Sequence, residues 1–250
     1  DSYSAGNGAG NYYGPKKSYR SHDNWAHKYT RWLNDQGAPT TLENLAYSGS
    51  VTSDVLHAGG KTNQIDEMSA DTNLVMFTIG NDVNFSDIVQ QCFALGIRDA
   101  KTCKEKVTNA NTQLENVKTN TLTILQQIDD KLTNDAQVIL VGYPRLASNR
   151  EYILKDDGVE YNAGAGVRSL SDSSMQIQST LVQEWNNSHP SLKVTYIDGV
   201  IDTFDGHEPD PSVKDRNPHR WINEFFETEG QTDENGNIQS KSSWDTNEFY

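Results

Sequence analysis

Short apolar runs alternate with longer amphipathic patterns along this chain, and that alternation limits the folds open to it. The runs have the length of strands and lie at residues 41–47, 74–79, 138–141 and 192–197. The middle two are apolar at consecutive positions, as is typical of strands covered on both faces in a parallel sheet. The sequence therefore predicts an α/β fold, a three-layer α/β/α domain with a mainly parallel central sheet.

Three longer segments carry apolar residues at the three- and four-residue spacing of an amphipathic helix. In residues 23–36 the pattern includes Trp25 and Trp32, and Asp23 is positioned to cap the first turn. Residues 104–133 and 166–188 keep the same spacing over greater lengths. One side of each long helix is thus expected to pack against the core.

The net charge and the absence of long apolar runs argue against two classes of partner, nucleic acids and the membrane interior. The 250 residues carry a formal net charge of −14. Nucleic-acid binding draws on clustered basic residues, so this balance argues against a nucleic-acid partner. No run of about 18 apolar residues is present, so the sequence predicts no transmembrane segment. Without an interior linker or repeat, we expect residues 1–250 to form a single domain, and we expect a monomer.

A local disulfide is the simplest interpretation of the two cysteines. The sequence predicts a short polar loop that contains Cys92 and Cys103, and no histidine lies near enough to suggest a metal site. A bond between them would close a loop of about 12 residues, and two free buried thiols are the alternative. Glycosylation sequons at residues 84–86 and 186–188 also fit a secreted protein. The sequence therefore favours an extracellular location.

Common cofactor and metal motifs are incomplete in the sequence. Gly60-Lys61-Thr62 resembles the end of a phosphate loop, but Val55 stands where its first glycine is needed. Glycines in residues 6–8 and 164–166 lack the third glycine of a dinucleotide motif. Paired-histidine and CxxC motifs are absent, and the acidic residues of 202–210 are expected to form a hydrated loop rather than a calcium site. We expect neither a cofactor nor a metal.

Three short blocks carry the residue types that acyl transfer needs. They are residues 1–6 (DSYSAG), 44–49 (NLAYSG) and 78–85 (TIGNDVNF). Ligands of open parallel sheets bind beyond the carboxyl ends of the strands, where Gly49 and Asn81 are expected. Acyl transfer requires an accessible serine oxygen, a base and donors to the oxyanion. Ser2, in a small-residue turn, is the candidate nucleophile. Its N–H, the N–H of Gly49 and the side-chain amide of Asn81 are the candidate donors.

These blocks resemble those of the SGNH/GDSL hydrolases, especially the secreted esterase and lipase-like branch. The resemblance extends to residues 19–21 (YRS), to the cysteine loop and to residues 204–208 (FDGHE), and so covers nearly the whole chain. It implies a flavodoxin-like SGNH hydrolase fold, with Ser2 as the nucleophile and Gly49 and Asn81 completing the oxyanion hole. Asp82 is expected to orient its loop rather than to touch the substrate.

The chain departs from the family pattern at both ends. The first block usually follows an apolar central strand that closes with glycine, and the last block usually supplies a histidine after an aromatic segment. We therefore expect that the sequence is trimmed at both ends, with the catalytic histidine just past Tyr250. His219 and His207 are the alternatives for the base.

The residues and the resemblance together predict a carboxylic ester hydrolase. Ser2 would form an acyl-enzyme with a lipid, short-chain acyl or acetylated-sugar ester. The alternative is a non-catalytic carbohydrate- or lipid-binding module on the same scaffold. A glycosidase that uses two of the many acidic residues is a further rival, and it would not depend on Ser2.

Overall fold

Helices and strands alternate through most of the chain. The computed structural model describes residues 1–94, 96–133, 135–210, 217–222, 231–232 and 238–240. The helices are α1 (Ser2–Ala5), α2 (Trp25–Asp35), α3 (Thr52–Val55), α4 (Gln64–Glu67), α5 (Phe85–Phe93), α6 (Ala100–Lys131), α7 (Ala163–Ser188) and α8 (Val200–Thr203), with a 3-10 turn at Asn81–Val83. The strands are β1 (Tyr12–Tyr13), β2 (Arg20–Ser21), β3 (Leu74–Phe77), β4 (Gln137–Val141), β5 (Ile153–Asp156), β6 (Val159–Asn162), β7 (Val194–Ile197), β8 (Gln231–Thr232) and β9 (Ile238–Ser240).

A parallel sheet forms the centre of the fold. Its strands lie in the order β3-β4-β7, and both pairings are parallel. The chain crosses from β3 to β4 through α5 and α6, and from β4 to β7 through the β5–β6 hairpin and α7. The predicted α/β class with a parallel central sheet is therefore confirmed. Three of the four predicted strands correspond to β3, β4 and β7.

One face of the sheet packs against the two long helices. Val138 and Leu140 of β4 are almost fully buried on that face, beside Val194 of β7. They share one core cluster with Leu125 of α6 and Trp185 of α7. These buried positions follow the apolar spacing in the sequence, which explains why the two long helical patterns were recognisable.

A second core lies beside the sheet and contains the disulfide. Cys92 of α5 and Cys103 of α6 are bonded, which confirms the predicted pair. Both are fully buried against residues such as Phe93 and Ile88, so the prediction of a polar loop around them was wrong. The error arose because Cys92 lies in the short helix α5 and Cys103 lies in the first turn of α6, before the start that the apolar spacing predicts.

Polar capping residues set where α2, α6 and α7 begin, and these starts differ from the predicted ones. Asn24, rather than Asp23, caps α2 and accepts a hydrogen bond from the backbone N–H of His27. Asp99 caps α6, which begins four residues before the predicted start, and Asn162 caps α7, which begins three residues early. Short polar side chains at these positions satisfy backbone N–H groups that have no carbonyl partner within the helix.

Residues 41–47 do not form a strand, contrary to the prediction. Residues 41–46 line a cleft of about 590 Å³ together with residues 74–78 of the β3 region, and among the described residues β3 pairs along one edge, with β4. A strand needs a neighbour to satisfy its backbone groups, and the cleft separates residues 41–47 from β3. Among the described residues, no helix has both the length and the apolar character needed to cross a membrane.

Candidate active site

The first block forms a single helical turn, α1, which begins at Ser2. The carboxylate of Asp1 caps this turn and accepts a hydrogen bond from Ser4 N at 2.9 Å. Ser2 is 9% exposed. The helix ends at Gly6, whose φ is +89° and where an added Cβ would lie 2.6 Å from Cβ of Asn24. Glycine at position 6 is therefore required both by the backbone and by the close packing of α1 against Asn24.

The second block ends in a tight turn. The N–H of Ser50 donates to the carbonyl of Tyr47 at 3.1 Å, so Ser48 and Gly49 occupy the corner. Gly49 has a φ of +79°, which favours glycine at the third position of such a turn. It is exposed, and no atom would lie within 4 Å of an added Cβ. The turn therefore leaves the Gly49 backbone open on the surface.

The third block follows the carboxyl end of β3, as predicted. Asn81 Nδ2 donates to the carbonyl of Ser50 at 3.0 Å, which uses one of its two N–H groups. The carboxylate of Asp82 accepts hydrogen bonds from Thr52 N at 3.0 and 3.1 Å and from the Thr52 hydroxyl. Asp82 thus fastens its loop to the start of α3, in agreement with the expectation that it orients the loop.

Hydrogen bonds join the three blocks in pairs. The Thr78 hydroxyl donates to the carboxylate of Asp1 at 2.8 Å, which joins the first block to the third. Asn7 Nδ2 donates to Ser48 Oγ at 3.0 Å, which joins the loop after α1 to the second. The Asn81 contact joins the third block to Ser50, the residue directly after the second block. These partners are 31 to 77 positions apart in the sequence, so the fold brings Ser2, Gly49 and Asn81 into one region.

Burial shapes the electrostatics of this region. It raises the pKa of Tyr3 to about 12, and the Tyr3 ring lies 4.9 Å from the ring of Tyr143. Near neutral pH Tyr3 is therefore uncharged and adds no charge beside Ser2.

The two candidate internal bases are engaged elsewhere. No described histidine hydrogen-bonds to the hydroxyl of Ser2. The His207 ring stacks on Trp221 at 3.8 Å between centroids, and its Nδ1 bonds to the backbone carbonyl of His219. His219 is exposed, and its N–H donates to Asn217 Oδ1 at 3.0 Å. The structure therefore does not bring either histidine into contact with the candidate nucleophile.

The acidic segment 202–210 is only partly hydrated, which corrects the sequence interpretation. Glu208 and Asp210 are 1% and 4% exposed. Glu208 pairs with Arg168 at 3.0 Å, and Asp210 pairs with Arg150 at 3.1 Å. Buried carboxylates need such partners, and both arginines lie too far away in the sequence for a local pattern to reveal the pairs.

An apolar pocket of about 60 Å³ opens beside Asn81. It lies between α6 and α7 and is lined by residues such as Leu114, Leu170 and Met175. Tyr143, which contacts the Tyr3 ring, also lines it. A substrate whose carbonyl oxygen lay at Asn81 would thus have an apolar pocket next to its reacting carbon.

Sequence reasoning missed two threonines that hold the site together. Thr78 and Thr52 are 6% and 1% exposed; the hydroxyl of Thr78 donates to Asp1 in the first block, and that of Thr52 donates to Asp82 in the third. Thr78 also contacts Ser4 Oγ at 2.6 Å. Thr78 is the first residue of the third block and Thr52 lies three positions after the second, but small polar residues at such positions are too common to single them out.

Comparison with known protein sequences relates the chain to bacterial lipases. No family model matches it. It is 32% identical over 152 residues to Lipase 1 of Streptomyces coelicolor and 30% identical over 151 residues to a lipase of Streptomyces rimosus. Each match covers 58% of this chain and 50% of the relative. The chain thus spans about half the length of the curated relatives it matches.

Two solved structures are similar over almost the full chain. The extracellular lipase of Streptomyces rimosus has a TM-score of 0.66 at 22% identity, covering 97% of this chain and 90% of that protein. The phospholipase A1 of Streptomyces albidoflavus has a TM-score of 0.68 at 23% identity, covering 99% and 91%. The chain shares the fold of these two proteins. The predicted fold class is confirmed by this similarity as well as by the sheet itself.

Proposed function

We propose that the protein is a serine hydrolase of the SGNH/GDSL type that cleaves carboxylic esters through an acyl-enzyme on Ser2. The observation that carries this proposal is the set of hydrogen bonds that joins the three blocks in pairs. These bonds link residues that lie 31 to 77 positions apart in the sequence, so it is the fold that brings them together. The lipase relatives support the same class of activity.

The chemistry assigns a role to each residue. Ser2 Oγ attacks the ester carbonyl while a histidine accepts its proton, and the histidine then protonates the departing alcohol. Water hydrolyses the acyl-enzyme, which releases the acid and restores Ser2. The N–H of Ser2, the N–H of Gly49 and the remaining N–H of Asn81 Nδ2 stabilise the oxyanion. The Ser2 N–H lies in the first turn of α1, where it has no carbonyl partner within the helix.

The base in this proposal is a histidine that follows Tyr250 in the complete protein. The contacts of His207 with Trp221 and with the His219 backbone suit a structural role. Replacing His207 or His219 by alanine should therefore leave kcat within about fivefold of wild type. A loss of several orders of magnitude in either variant would instead identify that residue as the base.

We further propose that residues 1–250 belong to a single domain, whose sheet gains a strand from the segment before Asp1 in the complete protein. One edge of β3 pairs with no described strand, and this edge and the cleft of about 590 Å³ beside it would accommodate such a strand. In the full-length protein, backbone amides of residues 74–78 should exchange with deuterium as slowly as those of β4. Rapid exchange there contradicts the added strand.

The substrates are proposed to be lipid, short-chain acyl or acetylated-sugar esters, taken up by a secreted monomer. The disulfide and the extracellular lipase among the structural relatives support secretion. The apolar pocket beside Asn81 supports an acyl group as the bound part of the substrate.

The direct test is hydrolysis of chromogenic esters of increasing acyl length by the full-length protein. Ser2→Ala should lose several orders of magnitude in kcat/KM, whereas Ser69→Ala, a change at an exposed serine, should match wild type. A binding module would hydrolyse none of the esters. A glycosidase would keep its activity on glycosides after Ser2→Ala, and either result would contradict the proposal.

A further inference from the structure

The pocket beside Asn81 has largely apolar walls and a strip of polar side chains along α7. Ser171, Ser174 and Gln178 line it, and their spacing of three and four residues places them on one face of the helix. Leu114 and Val117 of α6 also line the pocket. The pocket therefore combines a polar strip with apolar walls.

Gln178 is the unusual member of this strip. It is 3% exposed, and its Nε2 donates to Ser174 Oγ at 3.1 Å. Its Oε1 is buried and has no hydrogen-bond partner among the described residues. Buried polar atoms are nearly always hydrogen-bonded, because an unsatisfied one is costly. Turning the amide over leaves an N–H unsatisfied instead of the oxygen. In either orientation, Gln178 presents one unmet hydrogen-bonding group.

We infer that this pocket binds a short acyl chain that carries a hydroxyl group, and that Gln178 selects for that hydroxyl. The inference rests on the proposed function, in which the ester carbonyl lies at Asn81, at one end of the pocket. A hydroxyl both donates and accepts, so it pairs with the amide of Gln178 in either orientation. An alkyl chain without a hydroxyl leaves the amide unpaired.

The size of the pocket limits the length of the acyl group. A volume of about 60 Å³ has room for about four to six water-sized groups, at about 10–15 Å³ each. The geometry thus identifies the substrate class as esters of short hydroxy acids. Long-chain fatty esters exceed this space.

The experiment compares matched ethyl esters by pH-stat titration with the full-length protein. The panel contains ethyl butanoate and its 2-hydroxy and 3-hydroxy derivatives, which place the hydroxyl at two depths. We expect kcat/KM for at least one hydroxylated ester to exceed that for ethyl butanoate by about three- to tenfold, the factor that corresponds to one neutral hydrogen bond. Because a 2-hydroxyl also activates the ester chemically, the decisive quantity is the change in this ratio on substitution at residue 178.

Gln178→Met keeps the length of the side chain and removes the amide. In this variant the preference for the hydroxylated ester over ethyl butanoate should fall by about three- to tenfold. Gln178→Leu provides a second apolar replacement if the first folds poorly. Gln176→Met is the matched control, because Gln176 is exposed on the same helix, and its ratio should equal that of wild type.

The outcomes separate this inference from the proposed function. If esters are hydrolysed in a Ser2-dependent manner but the ratio is the same in wild type and both Gln178 variants, the hydroxyl selection is refuted and the hydrolase proposal stands. If no ester in the panel or in the chromogenic series is hydrolysed, or if Ser2→Ala remains active, both the proposed function and the inference that rests on it are refuted.

Discussion

Replacing Thr52 by valine should separate the positioning of the oxyanion donors from the chemistry itself. Thr52 is 1% exposed, and its hydroxyl donates to Asp82 and accepts from Asn120 Nδ2 at 3.0 Å. Valine keeps the shape and removes both hydrogen bonds. The bond to the carboxylate contributes about 1.5–3 kcal/mol, and water can replace much of the other because Asn120 is only half-buried. The expected loss is about 2–3 kcal/mol, or about 5–10 °C in Tm for a domain of this size.

The same substitution should also reduce turnover. Asp82 retains the Thr52 backbone N–H, so the loop that carries Asn81 loosens rather than detaches. Loss of an entire oxyanion donor lowers kcat by about 10²–10³, and we expect about a tenfold decrease with KM nearly unchanged. Thermal denaturation and steady-state kinetics on a short acyl ester measure the two effects.

Two further variants make the Thr52 test specific. Thr52→Ser keeps the hydroxyl and should recover most of the turnover. Thr119→Val removes an exposed threonine hydroxyl that bonds to the backbone of α6, and it should change neither Tm nor kcat appreciably. If Thr52→Val is destabilised but hydrolyses esters at the wild-type kcat, the link from Thr52 to Asp82 does not position the donors and the reasoning is refuted.

Three other variants probe the disulfide, the turn and the pH response. Replacing both Cys92 and Cys103 by alanine should lower the free energy of unfolding by about 2–3 kcal/mol in urea titration, and an unchanged value would show that the bond does not stabilise the fold. Gly49→Ala places alanine at a φ of +79°, which costs about 1–2 kcal/mol, and it should reduce kcat more than it raises KM. A wild-type kcat would argue against Gly49 as a donor. The pKa of His27 is lowered, chiefly by burial and then by His22 and Arg31, so the fold favours the neutral ring. Stability should therefore be present above the ordinary histidine pKa and decline as pH falls through the lowered value, and Tm of His27→Gln should decline less between pH 7 and pH 5.

The parts of the fold that follow from local patterns were predictable. The apolar spacing of α6 and α7 reflects the side of each helix that faces the sheet, so the helices were found even though their capping residues, Asp99 and Asn162, were not. Strands β3 and β4 were found because both are continuously apolar. In each case the sequence within one element contains the information that determines its structure.

Features that depend on distant partners were not predictable in the same way. Residues 41–47 have the composition of a strand, but strand formation requires a neighbour along the edge of β3, and no pattern within the segment reports one. Glu208 was expected to be hydrated because its local sequence is acidic, yet it is buried against Arg168, 40 positions away. Such ion pairs depend on the tertiary fold.

The candidate site was predictable only in part. Ser2, Gly49 and Asn81 were selected because their blocks resemble a known family, and the structure brings the blocks together. Their tethers through Thr78 and Thr52 became visible only in three dimensions. The sequence likewise does not indicate that Gln178 Oε1 lacks a hydrogen-bond partner among the described residues, because this depends on which side chains the fold places around it.

Covalent labelling of the full-length protein by a fluorophosphonate tests the central claim most directly. The probe reacts with a serine only where a base and oxyanion donors activate it. We expect stoichiometric labelling, mapped by mass spectrometry to Ser2, and its loss in Ser2→Ala but not in Ser69→Ala. Labelling at a different serine, or full ester hydrolysis by protein that carries no label at Ser2, would contradict the assignment of Ser2 as the nucleophile.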